Sequence, residues 1–239
     1  MQPAAVGVAA AVGRSQLSVH RRPLVAIASS GDELVPVDQF AHVAAGRRIV
    51  STNDYSLAAQ TREAGMEVRS LGIAPDDPDA LYDLLLGARG CDALVTTAGI
   101  SVGAHDHTRE VLERLGVTVD FWRVRMRPGS PLAYGRIEAL GGIPWFGLPG
   151  NPVSAMVTFE LFVRPALLRM AGHSAPYRPV IEVEVGSPLS LTPNLTHLVR
   201  VRLTRRASGG WLAQPTGPQG SGILTSMVAA DALLVIPEG

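Results

Sequence analysis

The sequence predicts an α/β fold: a three-layer arrangement around a parallel sheet, followed by a small all-β C-terminal region. Three observations carry this. Between residues 23 and 172, short apolar runs alternate with helical patterns, as β-α-β units on a parallel sheet require. Residues 171–179 (A-G-H-S-A-P-Y-R-P) then break all periodicity with a glycine and two prolines, which reads as a linker. Beyond them only strand-like pieces occur, at 180–185, 197–204, 211–214 and 233–236.

The elements follow in order. Residues 24–28 (L-V-A-I-A) read as a buried strand, and 54–64 as a helix, because Leu57, Ala58, Thr61 and Ala64 recur at helical spacing before Gly65 stops it. A strand at 66–71, a helix at 78–88 with Leu81, Leu84 and Leu85 inward, and a strand at 93–96 come next. Another helix spans 106–115, with Val111, Leu112 and Leu115 on one face. The pattern then changes to strands at 117–126, 132–140 and 143–148, joined by glycine and proline turns, before a long helix at 151–170.

With 239 residues, 46% apolar and 18% charged, the chain can bury a sizeable core. All 21 of its basic residues are arginines, and they balance 21 acidic residues to zero net charge. A general nucleic-acid binder needs clustered positive charge, so that class is excluded. One cysteine, Cys91, permits no disulfide framework and reads as a buried thiol. Residues 1–13 are alanine- and glycine-rich without a basic start, which is a poor secretory signal, and Glu160, Arg164 and Arg169 interrupt the longest later apolar stretch. The expectation is a cytoplasmic protein with no membrane partner.

Ligands of an open α/β sheet bind beyond the carboxyl ends of its strands, which directs attention to four loops. Residues 29–34 (S-S-G-D-E-L) set Asp32 and Glu33 beside a glycine; paired acids suit a divalent cation, although a solvated turn carries the same residues. Residues 98–106 (A-G-I-S-V-G-A-H-D) join a strand to a helix with Gly99, Ser101 and Gly103 available to cradle an anion. Asp106 is also a good helix N-cap, and His105 and His107 read as loop histidines. In residues 127–131 (R-P-G-S-P) an arginine and a hydroxyl sit in a proline-stiffened loop that suits an oxyanion, or is a plain turn. Residues 149–154 (P-G-N-P-V-S) enter the long helix with Asn151 at the cap and Pro152 at its first position.

The succession S-G-D-E-L, S-T-N-D-Y, G-I-A-P-D-D-P, A-G-I-S-V-G-A-H-D, R-P-G-S-P and G-L-P-G-N-P-V-S-A, in this order between residues 30 and 155, closely resembles the MoeA family of molybdopterin molybdenumtransferases, including the E domain of gephyrin. Q-G-S-G-I-L at 219–224 and A-D-A-L-L-V-I-P at 230–237 resemble that family's small β domain. The resemblance implies a transferase of molybdenum cofactor biosynthesis that inserts molybdate into adenylylated molybdopterin with release of AMP, supported by Mg2+. It implies catalytic roles for Asp32, Glu33, Asp106 and Arg127, with Glu33 and Asp106 as metal ligands. Gly31, Asn53, Asp76, Asp77, Gly99, Ser101, Gly103, Ser130, Pro149, Gly150, Asn151 and Ser154 would contact the pterin nucleotide or molybdate. It divides the chain into a remnant of the N-terminal region (1–20), a molybdopterin-binding α/β domain (21–173) and a C-terminal β domain (177–239).

Three departures from the family pattern stand out. Where the family carries K-P-G-K-P, Arg127 keeps one cation and Ser130 drops the other, and Ala98 replaces the first glycine of a pair. The family's long N-terminal domains have no counterpart, so a homodimer or a partner chain supplying them is expected. A shortened, non-catalytic paralogue that binds molybdopterin or a partner is the alternative reading, as is a molybdopterin adenylyltransferase-like enzyme.

Overall fold

The computed structural model describes residues 2–46, 48–97 and 107–238. The chain starts with helix α1 (Pro3–Ala11), which buries none of its residues. It continues through β1 (Leu24–Ser30), β2 (Leu34–Val35), a 3-10 segment (Val37–Ala45), β3 (Ile49–Val50), α2 (Thr52–Glu63), β4 (Glu67–Ala74), α3 (Pro78–Leu86), β5 (Ala93–Thr97) and α4 (His107–Arg114). Next come β6 (Val117–Trp122), β7 (Met126–Arg127), β8 (Ala133–Ile137), β9 (Ile143–Leu148), α5 (Pro152–Thr158), a π-helical turn (Phe159–Val163) and α6 (Arg164–Met170). The remainder is β10 (Glu184–Val185), β11 (Thr196–Arg205), β12 (Trp211–Pro215), α7 (Thr225–Val228) and β13 (Ala232–Ile236).

Six strands form the first sheet in the order β4-β1-β5-β9-β8-β6. The first four are mutually parallel, while β8 runs antiparallel to both β9 and β6. Alternation along the parallel strands separates two apolar layers. Ala26, Ala28, Leu94 and Trp145 face α3 and α4 with Leu81, Leu85, Val111 and Leu115. Val25, Ile27, Val95, Phe146 and Leu148 face Leu57 of α2 and Phe159, Val163 and Leu167 of the long helix. Trp145, fully buried, satisfies its indole by donating to Thr96 Oγ1 at 3.0 Å. Because β8 is antiparallel to β9, the segment before β8 lies at the same edge as the carboxyl ends of β1, β4, β5 and β9.

The expected strand at 117–126 divides instead. β6 ends at Trp122; Arg123 takes a positive φ of 78° and donates its amide to Leu132 O at 2.8 Å. Met126 and Arg127 then pair with Thr196 and His197 of β11 in the second sheet, order β10-β12-β11-β13. The reason is burial: Met126 packs with Val153, Val157 and Leu198 between the two sheets. The strand expected at 132–140 stops at Ile137, because Glu138–Leu140 closes as a 3-10 turn. Of 180–185 only Glu184–Val185 is strand, with Val180 90% exposed. The 171–179 stretch has no regular structure but is tied down: Arg178 bridges Glu160 (2.8 Å) and Glu63 (3.3 Å), and Arg164 donates to Pro176 O at 3.0 Å.

Two contacts set the ends of the first sheet. At its start, Asp92 accepts from the Leu24 amide at 2.8 Å and pairs with Arg21, whose hydrogen bond holds this carboxyl below its usual range, with the Leu24 amide adding and burial opposing. At the opposite edge, Gly129 has φ +102°, and a Cβ there would lie 2.5 Å from Thr158 Cγ2, so the 127–131 loop sits directly on α5. Asp92→Ala therefore lowers the melting temperature at pH 7 by a few degrees, through the lost Leu24 contact and ion pair. A depressed carboxyl stabilises above its unfolded value of about 3.9, and the effect disappears as pH falls through the folded value; the gap between Asp92→Ala and the parent should begin to narrow below about pH 4 and keep shrinking as the pH falls further. Gly129→Ala combines left-handed backbone with a clash and should cost more than about 1 kcal/mol in chemical denaturation.

Candidate functional site

The parallel register brings the loops of interest to one edge. Ser29 of β1 lies beside Ile73 of β4 and Thr97 of β5, and Thr97 lies beside Leu148 of β9. Residues 31–33, 75–77, 128–132 and 149–151 therefore emerge side by side. Gly99, Ser101, Gly103 and Asp106, with His105, follow β5 and lie outside the described residues.

The acidic end is built from two interlocked turns. Gly31 donates its amide to Ala74 O at 3.1 Å, which joins the exit of β1 to that of β4. Asp32 and Asp76 then grip each other: Asp32 Oδ1 accepts from the Asp76 amide at 3.1 Å, and Asp76 Oδ2 from the Asp32 amide at 3.4 Å. Arg48 donates to the Asp32 carbonyl, and the Glu33 carbonyl accepts from the Ile49 amide at 2.7 Å. The exposed Glu33 carboxylate folds back over Gly31, where a Cβ would lie 2.6 Å from Oε2, so only glycine at φ +145° leaves it room. Asp77 is used otherwise: it caps α3 by accepting from the Ala80 amide at 2.8 Å. Three exposed carboxylates, Asp32, Glu33 and Asp76, remain as hard oxygen donors of the kind magnesium takes, although no three acidic, histidine or cysteine side chains among the described residues come close enough to enclose a metal on their own.

The other end combines the loops before β8 and after β9. Arg127 is exposed and donates from Nη1 to Thr192 Oγ1 at 2.9 Å; Ser130 is half-buried, its carbonyl taking the Val124 amide at 3.0 Å. Pro149 is buried and Gly150 exposed, and the Gly150 carbonyl accepts from Asn53 Nδ2 at 2.8 Å, which ties α2 to this loop. Asn53, 7% exposed, keeps Oδ1 without a partner. Asn151 occupies the N-cap position of α5 but makes no side-chain capping bond, and Ser154 is buried in the first turn. The amide of Val153 is taken, donating to Ser221 O at 3.0 Å. The helix entrance is thus partly covered by the 217–222 segment of the second sheet region.

Two groups were missed in the sequence. Arg200, 1% exposed, donates to Ser226 Oγ and Gly220 O at 3.0 Å each, while its amide bonds Gln219 Oε1 at 2.9 Å. Burial pulls its guanidinium below the ordinary value, and the network holds Ser221 against α5. A charged residue inside the apolar run L-V-R-V was the available signal. The second group is Asp54, whose carboxylate accepts from Ser29 Oγ at 2.5 Å; Ser29 Oγ meets Thr97 Oγ1 at 2.7 Å and lies 3.4 Å from Ser51 Oγ. Burial pushes the Asp54 carboxyl up, against the hydrogen bonds of Ser29 and Ser51. An acid three residues after Ser51 suggests a capping box, but its bond crosses to β1 instead.

Charge is therefore divided along the edge: acids beyond β4 and β1, and Arg127 with Ser130 beyond β8. β1 and β8 are three strand spacings apart, about 14 Å, so a ligand touching both ends must be extended and anionic in parts.

Residues 26–169 match the family described as Probable molybdopterin binding domain, and residues 182–239 match the MoeA C-terminal region (domain IV). A Molybdopterin molybdenumtransferase 1 from Mycobacterium tuberculosis is 34% identical over 241 residues, covering 99% of this chain and 55% of the relative. A Molybdopterin molybdenumtransferase from Nostoc sp. is 33% identical over 249 residues, covering 100% and 55%. The crystal structure of a molybdopterin biosynthesis MoeA protein from Pyrococcus horikosii superposes with a TM-score of 0.74 at 30% identity, over 100% of this chain and 56% of that one. The chain spans about half the length of the curated relatives it matches. With one match running through the first sheet and the other through the second, the chain belongs to the MoeA family of molybdopterin-binding-domain proteins.

Proposed function

We propose that this chain carries the molybdate-insertion site of a molybdopterin molybdenumtransferase, taking adenylylated molybdopterin and molybdate and releasing AMP. One observation carries the reading: acidic groups and an arginine-hydroxyl loop share one sheet edge but stand at opposite ends of it, as a substrate with a phosphate linkage and a separate oxyanion partner requires. The names of the relatives agree with it. Within the same proposal, residues 21–173 form the pterin-binding domain and 177–239 the β domain. The enzyme acts in the cytoplasm, with a homodimer or a partner chain completing it; among the described residues no helix is long and apolar enough to cross a membrane.

The roles follow from the chemistry of each group. Glu33, with Asp106, would hold magnesium, because carboxylates are the hard donors it prefers. Held there, the ion would supply positive charge to screen the phosphate oxygens of the nucleotide linkage. Asp32 and Asp76 keep the acidic turns in register through their mutual amide bonds, and Gly31 leaves Glu33 space. The Gly99–Gly103 segment with Ser101 would cradle the nucleotide phosphates. Asn53 orients the loop of Pro149, Gly150 and Asn151, which would contact the pterin nucleotide, through the Gly150 carbonyl. Arg127 and Ser130 face molybdate with one cation, where a lysine at 130 would add a second; Ser154 supports the floor.

The test is reconstitution: purified chain, adenylylated molybdopterin, magnesium and molybdate, with AMP release and pterin binding followed together. Glu33→Ala should lower AMP release by more than about 100-fold while circular dichroism and melting stay unchanged. Ser130→Lys should lower the half-saturating molybdate concentration by about tenfold or more, since a charge-assisted contact contributes about 1.5–3 kcal/mol. Pterin binding without AMP release, even at high molybdate, would replace this reading with a non-catalytic binding protein.

A further inference from the structure

The hydroxyl cluster between β1, β5 and α2 has no part in the roles above. Ser29 and Thr97 are register partners on adjacent parallel strands, each 1% exposed, and the pair below them on the same face is Ile27 with Val95. An apolar pair would pack as well in this layer; two buried hydroxyls carry a desolvation cost unless their protons are directed. Ser29 has one proton. At 2.5 Å from Asp54 Oδ1 that proton belongs to the carboxylate bond, so in the 2.7 Å contact Ser29 accepts and Thr97 donates.

We propose that Asp54 is a positioning residue: by taking the Ser29 proton it orients the chain Thr97 to Ser29 to Asp54, which holds the ends of β1 and β5 at one spacing beneath the acidic turn at 31–33. A charged acceptor makes such a bond roughly twice as strong as a neutral one, and successive bonds polarise each other. Ser51, the residue before α2, adds a third hydroxyl that donates to Ser29 Oγ at 3.4 Å, which brings the helix start into the same network. Gly31, two residues after Ser29, opens the turn bearing Asp32 and Glu33, and Thr97 is the last described residue before the segment of Gly99 to Asp106. A slackened Ser29–Thr97 pair would therefore misplace that turn. The catalytic consequence rests on the molybdenumtransferase reading; the positioning does not.

The experiment is hydrogen exchange by mass spectrometry on the full chain, with Asp54→Ala, Asp54→Asn, Ser29→Ala and the double variant Asp54→Ala/Ser29→Ala. Asp54→Ala should raise exchange in residues 28–36 by about tenfold and leave 143–148 within about twofold. Asp54→Asn, whose amide oxygen still accepts, should recover part of that protection, and the double variant should exchange no faster than Asp54→Ala alone. In the AMP-release assay the same variants should lose kcat by a similar factor with KM for the pterin nucleotide unchanged. Unchanged exchange at 28–36, an equal rise throughout the chain, or multiplying losses in the double variant would overturn the proposal. If Asp54→Ala does not fold, Ser29→Ala carries the test with the same local rise expected and a flat profile overturning it. A parent chain that releases no AMP would sink the functional reading alone, because exchange still decides the positioning.

Discussion

The parallel register of β4, β1, β5 and β9 is the constraint from which the site follows. Parallel strands must all leave the sheet at the same edge, and the register pairs Ser29 with Thr97 and Thr97 with Leu148, so loops far apart in the chain open within one or two strand spacings of each other. The antiparallel entry of β8 delivers the 127–131 loop to the same edge from the opposite direction. Both apolar layers are built mainly by the strands and helices beneath these loops, with Leu132 added from the loop before β8.

On that edge the acidic side chains gather at one end, with Arg48 on the Asp32 carbonyl, and Arg127 stands at the other. Asp32 and Asp76 tolerate proximity because each spends part of its carboxylate on the other's backbone amide, while the exposed Glu33 carboxylate lies over Gly31. Arg127 lies beyond β8, steadied by Thr192 from the segment before β11, so the second sheet region contributes to the site through backbone pairing and one hydroxyl. The same region closes over α5 through Ser221, held by the buried Arg200 network. Two sheets with separate cores thus meet beside the candidate site.

Much of this was legible in advance, and the reasons are local. Periodicity exposes L-V-A-I-A as a buried strand and the Leu81, Leu85 spacing as a helix face, because burial on one side writes itself into residue order. The S-G-D-E-L and R-P-G-S-P loops were legible through residue types that only special backbone or charged ligands favour. Arg200 and Asp54 were not singled out. Their meaning lies in partners 20 to 26 residues away for Arg200 and 25 for Asp54, and nothing in the neighbouring sequence names those partners.

By itself the sequence determined most of the order of strands and helices of the first sheet, the loops proposed to carry chemistry and the family to which they correspond, since each depends on short-range pattern and residue type. Tertiary structure alone decided that 117–126 would split between two sheets, that the Val153 amide would be taken by Ser221, and that Asp54 would bond Ser29 rather than cap its own helix. The physical reason is shared. A chain segment follows its local preference until a buried group elsewhere offers a better partner, and only packing determines which groups are buried together.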